Sequence, residues 1–358
     1  MATFTVESFD GFVGLPDDLH AALTQAEGVD FQAGADWYSL LCATALAATE
    51  KPQVHVLRRN GAVAAALPLL LRESPSGHEL VALANFYTTR FTAALSPDLD
   101  ADGLAHLFRN LRGQAASRIN LLPIDRASPA YQVLRPALRR AGFVTFDYFC
   151  FGNWYLPVRG NADAYMAARP GEVRSTLRRM TRRLDQAGAR VELVGPQGNV
   201  EAAIAAYSAV YATSWKEPEP FPAFMPGLIR LCAARGWLRA GIAWLDDKPI
   251  AAQVWVVANG RASIFKLAYD PAYASYSPGT VLTARLMRHV IDVDRVREVD
   301  YLTGDDAYKQ AWMSERREMW GLVAYDPRQL RGALLALREG SARALKRVMR
   351  RHRSASAA

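Results

Sequence analysis

Twice along this 358-residue chain the same shape recurs: a helix bearing a tryptophan, then a hairpin whose second strand is built from small apolar residues. In the first half a helix predicted over residues 36–48 holds Trp37 and precedes strands at 54–58 and 63–71, joined at Asn60-Gly61. In the second half a helix over 200–215 ends on Trp215 and precedes strands at 238–245 and 250–258, joined by Asp246, Asp247, Lys248 and Pro249. Asn-Gly between β-prone runs selects a tight hairpin, because both central residues take positive φ. A hairpin buries only one face by itself, so helices must cover the rest, and each half is expected to form an α/β sandwich with a mixed sheet. Further strands are predicted at 80–85, 118–122, 143–151, 154–158, 190–195, 261–269 and 298–302. Helices are predicted at 16–26, 103–114, 129–141, 172–186 and 280–293. The length suits two domains, read as 1–158 and 159–326, with a tail over 327–358.

The formal charge of +8 resembles a nucleic-acid signal until it is located. Nine Lys/Arg and one Glu lie from Arg328 to Ala358, so the tail holds all of the excess and the first 327 residues are neutral, with 34 basic and 34 acidic side chains. A neutral body sets up no broad field for polyanions, and no specific nucleic-acid partner is expected. No apolar run approaches the roughly 20 residues that cross a bilayer. The amino terminus lacks the basic segment and apolar core of a secretion signal, and three scattered cysteines suggest no disulfide framework, so a cytoplasmic location is expected. Six histidines without ligand spacing imply no metal site. In the tail, Leu330, Leu334, Leu337, Leu345 and Val348 fall on one helical face. That pattern predicts docking of its first half on the body, with weak contact to anionic lipid or nonspecific RNA binding as alternatives.

Two neighbouring stretches concentrate chemistry. In the first, Ser277, Pro278, Gly279 and Thr280 open a helix after a strand ending at Tyr269. Ser and Thr suit a helix cap, Pro suits the first turn, and Gly admits close backbone approach. Such an entrance either binds an anion through free amides or is an ordinary capping turn. In the second, Asp300 lies on a strand, and Gly304, Asp305, Asp306, Tyr308, Lys309 and Trp312 follow. Ligands of open α/β sheets gather beyond the carboxyl ends of strands, and carboxylates, a phenol and an ammonium there supply acid, base and charge-pairing groups. The alternative is a capped helix start with Tyr308 packed on Trp312. The helix at 172–186 carries Arg174, Arg178, Arg179, Arg182 and Arg183 off its apolar stripe, either as a solvated face or to receive phosphate. Glu217 and Glu219 lie in a Pro-rich loop that suits a lid or an acceptor contact, or equally surface padding.

The segment YLTGDDAYKQAW resembles the signature of the BioF-like/CelD-type acetyltransferase domain, a group of the GNAT superfamily related to Fem-type peptidyl transferases. The similarity extends to KLAYDPAYASYSPGTVL, PIAAQVWVV and RPGEVRSTLRRMTRRL, covering roughly residues 165–320. The resemblance implies two tandem GNAT folds and an acyltransferase using acetyl-CoA or another acyl-CoA. Pantetheine would run along the strand to Tyr269, with pyrophosphate at the amides of 277–280. The acceptor implied is an amine, such as an amino sugar or an envelope or exopolysaccharide precursor. Asp305 is then expected as base or amine-binding carboxylate and Tyr308 as acid to the departing thiolate. Lys309 and Lys266 would orient carboxylates or phosphates, Asp300 would pair with one of these lysines, and Arg178, Glu217, Gly304 and Trp312 would contact substrate. Gly279 stands alone where the usual pyrophosphate loop has several glycines. This departure keeps a Fem-type transferase using aminoacyl-tRNA, or a GNAT scaffold that binds without turnover, as alternatives.

Overall fold

In the computed structural model, which describes residues 2–74, 77–112 and 117–355, both hairpin turns form with the expected backbone. Asn60 and Gly61 lie at φ 51° and 85°, and Asp246 and Asp247 at 50° and 59°. The second turn is therefore two residues long, and its strand starts at Lys248 rather than after Pro249.

In chain order the elements begin with β1 (Phe4–Asp10), α1 (Asp17–Glu27), α2 (Ala35–Thr44), β2 (Lys51–Arg59), β3 (Ala62–Ser74), β4 (Gly77–Ala82) and β5 (Ala94–Leu95). There follow α3 (Ala101–Arg112), β6 (Arg118–Asp125), α4 (Pro129–Arg140), β7 (Val144–Pro157), α5 (Ala162–Ala167), α6 (Gly171–Gln186), β8 (Arg190–Val194), α7 (Val200–Thr213) and α8 (Phe224–Ala234). The remainder is β9 (Leu238–Leu245), β10 (Lys248–Ala258), β11 (Arg261–Tyr269), α9 (Pro278–Asp292), β12 (Glu298–Asp300), α10 (Ala307–Trp312), β13 (Glu315–Tyr325) and α11 (Leu330–Ala355). The two strands expected at 143–151 and 154–158 are one strand, β7.

The chain divides into two compact units: one holds residues up to Cys42, Leu46–Cys150 and Met319 onward, the other Ala43–Ala45 and Phe151–Glu318. This differs from a division at residue 158 with a separate tail. The chain returns to the first unit because Met319 to Tyr325 of β13 pair antiparallel with Asp125 to Arg118 of β6. In that unit β1, β2, β3 and β4 form an antiparallel run and β4 meets β6 in parallel. Leu104, Leu107 and Phe108 of α3 and Leu134 and Leu138 of α4 bury themselves with Leu67, Leu80, Ile119 and Leu322.

Burial of Gly321 on β13 is tight enough to test. A Cβ there would lie 2.1 Å from the Tyr148 ring, whose hydroxyl donates to Asn120 Oδ1 at 2.8 Å. A ring held at both ends yields poorly, so Gly321→Ala is expected to lower unfolding stability by about 2 kcal/mol. Urea denaturation reads this as a lower midpoint with unchanged slope.

The tail forms the helix α11, but it docks through a different face from the one the leucine spacing suggested. Ala336 and Leu335 pack with Val323, Tyr325, Phe146 and Tyr148, while Leu330, Leu334, Leu337 and Leu345 are exposed. Gly332 fits against the backbone of Asp326, and Gly340 faces Phe146. Small residues let the helix approach closely, which leucines on that face would prevent. The side chain of Val348, also placed on the leucine face, lies outside the described residues.

In the second unit β7, β12, β11, β10, β9 and β8 lie in that order, with β11 and β12 parallel and the other neighbours antiparallel. Helix α9 covers the face bearing Gln253 and Trp255, together with α5 and α6. Helices α7 and α8 pack from the side on which Lys266 emerges, since Lys266 is opposite Val254 and successive strand residues alternate faces. Among the described residues no helix is long and apolar enough to cross a membrane.

Candidate active site

The sheet of the second unit opens beside β11. Residues 261–263 pair with 298–300 of β12, and there the parallel ladder stops. Beyond it β11 stays with β10 as far as Tyr269, opposite Ala251. The chain leaving β12 follows β7 instead: Tyr301 donates to Trp154 O at 2.9 Å and Gly304 to Gly152 O at 3.2 Å. Two strands that start as neighbours and then keep different partners must diverge. The edge of β11 along its last residues therefore faces a wedge between the two strands, a shape that suits an extended, amide-bearing ligand. A bulge at Phe265, between Val254 opposite Lys266 and Trp255 opposite Ile264, resets the alternation and sends Lys266 towards α7.

Helix α9 starts at one side of this wedge. Ser277 sits in the left-handed region at φ 46° and its side chain makes no cap hydrogen bond, unlike the capping role expected of it. The amides of Thr280 and Val281 turn back onto the Ser277 carbonyl at 3.0 and 3.3 Å. Pro278 has no N–H, which leaves Gly279 with an amide that the helix cannot satisfy. Gly279 abuts the ring of Tyr269, and its carbonyl accepts from Gln253 Nε2 at 3.0 Å. Arg183 of α6 reaches the same corner, donating to Ser275 O at 3.0 Å and lying 4.8 Å from the Tyr276 ring centre. This corner thus brings together one backbone amide and the Arg183 guanidinium of α6. Arg178 lies on the exposed face of that helix, in an open groove with Thr181, Arg182, Asp185 and Gln186.

A cluster of charge lies where the loop after α7 meets β11 and α10. Lys266 and Glu219, both nearly buried, form a 2.9 Å ion pair, and Tyr207 Oη donates to Glu219 at 3.1 Å. Lys266 also lies 5.6 Å from the centre of the Tyr211 ring. Lys216, half-buried beside Tyr211 and Trp215, has its ammonium pushed down to about 8. Burial is the main cause; the charges of Lys266 and Lys309 add to it, while Glu219 and Asp306 oppose it. Trp215, whose ring is 4.6 Å from that of Tyr269, ties this loop to the end of β11. Glu217 contributes its carbonyl, which accepts from Tyr211 Oη at 3.1 Å, and its side chain is exposed.

The residues after β12 take individual places. Tyr308 is about half exposed, edge-on to Tyr301 at 5.7 Å, and its phenol is pushed up to about 12 by burial and by Asp306. Tyr301 hydrogen-bonds Thr283 of α9, so it links this segment to the Gly279 corner through the Gln253–Thr283 bond of 2.8 Å. Lys309 is buried, bonded to Thr303 O and paired with Asp306 at 3.1 Å. Its Nζ would be 2.8 Å from a Cβ at Gly304, which sits at φ 110°, so glycine is required there twice over. Trp312, expected at the substrate, is instead in the core, where its carbonyl accepts from Tyr165 Oη at 2.8 Å.

The two carboxylates expected to do chemistry are held by arginines. Asp305 takes Arg316 on both oxygens, at 2.7 to 3.1 Å, and Trp154 Nε1 at 2.8 Å, and the guanidinium holds its carboxyl below the usual range. A carboxylate so stabilised in its charged form is a weak base. Asp300, for which a lysine partner was expected, is paired with Arg317 and accepts from Asn153 Nδ2 at 2.6 Å and the Leu302 amide at 2.7 Å. Both arginines come from β13, too far along the chain for local spacing to reveal. Lys216 and Tyr211 are the members of this cluster that sequence reasoning passed over, although Lys216 adjoins Glu217 in the same loop.

Residues 171–310 match the family model of the acetyltransferase (GNAT) domain. Among solved structures the chain is similar to FemX, with 12% identity, a TM-score of 0.61, and coverage of 92% of this chain and 99% of that one. It is also similar to the C-terminal domain of a putative lysylphosphatidylglycerol synthetase from Agrobacterium fabrum, with 14% identity, a TM-score of 0.55, and coverage of 91% and 96%. A tandem GNAT protein from the clavulanic acid biosynthesis pathway aligns at 13% identity and a TM-score of 0.52, over 89% of this chain and 98% of its own. No curated protein matches the chain by sequence. Likeness at such low identity shows the fold, which is that of tandem GNAT units.

Proposed function

We propose that this chain, which carries a GNAT-type acetyltransferase domain over residues 171–310, transfers an acyl group from acetyl-CoA or another acyl-CoA to an amine. The observation that carries this reading is the divergence of β11 from β12 after Ser263 and Asp300. The diverging edge of β11 suits the amides of a pantetheine arm, and the acyl end would then lie beside the Lys216 cluster. The Gly279 amide and the arginines of α6 are the groups that would meet the pyrophosphate, replacing the glycine-rich set of amides that this helix start lacks. The coenzyme supplies an activated acyl carbon; the chain supplies positioning and proton transfer.

In this reading the amine nitrogen attacks the thioester carbonyl carbon and the carbon–sulfur bond breaks. Neutral Lys216, whose depressed pKa leaves it partly unprotonated near pH 8, takes the proton from the incoming ammonium. Tyr308, protonated throughout this range, presents its O–H to the departing sulfur. The second proton shed by the nitrogen as the amide forms passes to the Tyr308 oxygen, and Lys216 releases its own to solvent. The base is thus assigned to Lys216, because Asp305 is committed to Arg316. The acceptor class is an amine of small-molecule or glycan-precursor type.

Titration with coenzyme A and acetyl-CoA is expected to raise the melting temperature saturably, by the equivalent of about 2.7 kcal/mol at a hundredfold excess over Kd. Thiol release with a panel of amines reports turnover. Stabilisation without release for any amine would leave a binding scaffold. Absence of stabilisation, with transfer from aminoacyl-tRNA, would replace this reading by the Fem-type one, for which the neutral body provides little electrostatic attraction.

A further inference from the structure

We propose that α11 is a docking helix for an anionic phospholipid surface. At 100° per residue, Leu330, Leu334, Leu337, Ser341 and Leu345 fall within one narrow arc, with Met349 at its edge. These leucines are more than half exposed, from 57% at Leu334 to 77% at Leu330. The docked side, marked by Gly332, Ala336 and Arg343 over the Phe146 ring, is diametrically opposite. The first unit therefore holds the helix by its back and presents the leucines outward. Exposed Arg331 and Arg338 border the stripe on one flank.

Charge decides among occupants. The segment from Arg328 to the end carries nine Lys/Arg and one Glu, which is the whole of the net +8 of the chain. A second copy of this helix would bring a like charge against it. A polyanion such as RNA would satisfy the arginines and leave the leucines in water. A leaflet containing acidic lipids satisfies both: acyl chains take the leucines and phosphates take the flanking guanidinium groups. Since no helix among the described residues is built to span a bilayer, the association is peripheral and reversible. It stands independently of the acyl-transfer reading.

Sedimentation of the full chain with vesicles tests this. Phosphatidylcholine vesicles containing phosphatidylglycerol are expected to carry the protein down, pure phosphatidylcholine vesicles to leave it in solution, and added salt to release it. Leu334→Gln with Leu337→Gln, and separately Arg331→Gln with Arg338→Gln, are each expected to weaken partitioning on the order of tenfold. Both pairs are exposed, so circular dichroism and the melting temperature stay as in the parent. The proposal is overturned if anionic vesicles fail to bind the parent chain, or if the leucine pair binds them as well as the parent does. It is equally overturned if the parent is a dimer that the leucine pair dissociates, or if RNA binds the parent and the leucine pair alike while vesicles bind neither.

Discussion

Lys216→Arg is expected to lower kcat/KM for acyl transfer by about a hundredfold. Arginine keeps the positive charge beside Glu219 and Asp306, and much of the length, but it does not deprotonate in the working range. The parent enzyme should show a rate that rises with pH and levels off above about 8, because the neutral ammonium site is the active form and its proton leaves near that value. The sign follows from the cause: burial and neighbouring lysines disfavour the charged form, so the base becomes available below the ordinary lysine range. In the variant that inflection should vanish, while stabilisation by coenzyme A remains. A smaller residue, Lys216→Ala, should lose the same rate and regain part of it with added methylamine. If the pH profile of Lys216→Arg keeps its inflection near 8, the base lies elsewhere.

Why Lys216 escaped sequence reasoning, when its loop and so much of the fold did not, is a matter of how local each determinant is. The hairpins were legible because Asn60-Gly61 and Asp246-Asp247 carry their backbone conformation in their own identity. The order of strands and helices followed from periodicity in the same way, as did the helix start beyond Tyr269. Lys216 owes its depressed pKa first to burial and then to Lys266, which the β-bulge at Phe265 turns to the side of α7. No spacing within the loop encodes that register. The hold on Asp300 and Asp305 was missed for a related reason: Arg317 and Arg316 arrive on β13 by way of the sheet. In the tail the periodicity was read correctly and the sign of the exposure wrongly. Apolar spacing says that leucines share a face, but the close approach permitted by Gly332, Ala336 and Gly340 decided which face was covered.

Asp300→Ala is expected to destabilise the second unit by about 3 kcal/mol, read as a fall in melting temperature of about 6–12 °C. Asp300 is 2% exposed, so it has no surface on which to meet a substrate. Its carboxylate instead satisfies three donors on three segments: Asn153 of β7, Arg317 of β13, and the amide of Leu302, which stands at φ 57° in the turn leaving β12. Arg317 keeps Glu298 at 2.9 Å and the Tyr155 ring at 4.2 Å after the substitution, which limits the loss. Its contact with Asp300 is replaced by a void, and the Leu302 amide loses its acceptor in a buried place. Asp300→Asn, which retains one acceptor oxygen, should cost less. Because the Leu302 turn delivers Gly304, Tyr308 and Lys309 to the mouth of the wedge, activity should fall in step with the folded fraction and recover on cooling. Loss of turnover at an unchanged melting temperature would instead give Asp300 a part in the chemistry, and the division of labour drawn here between arginine-held carboxylates and the Lys216 cluster would have to be reversed.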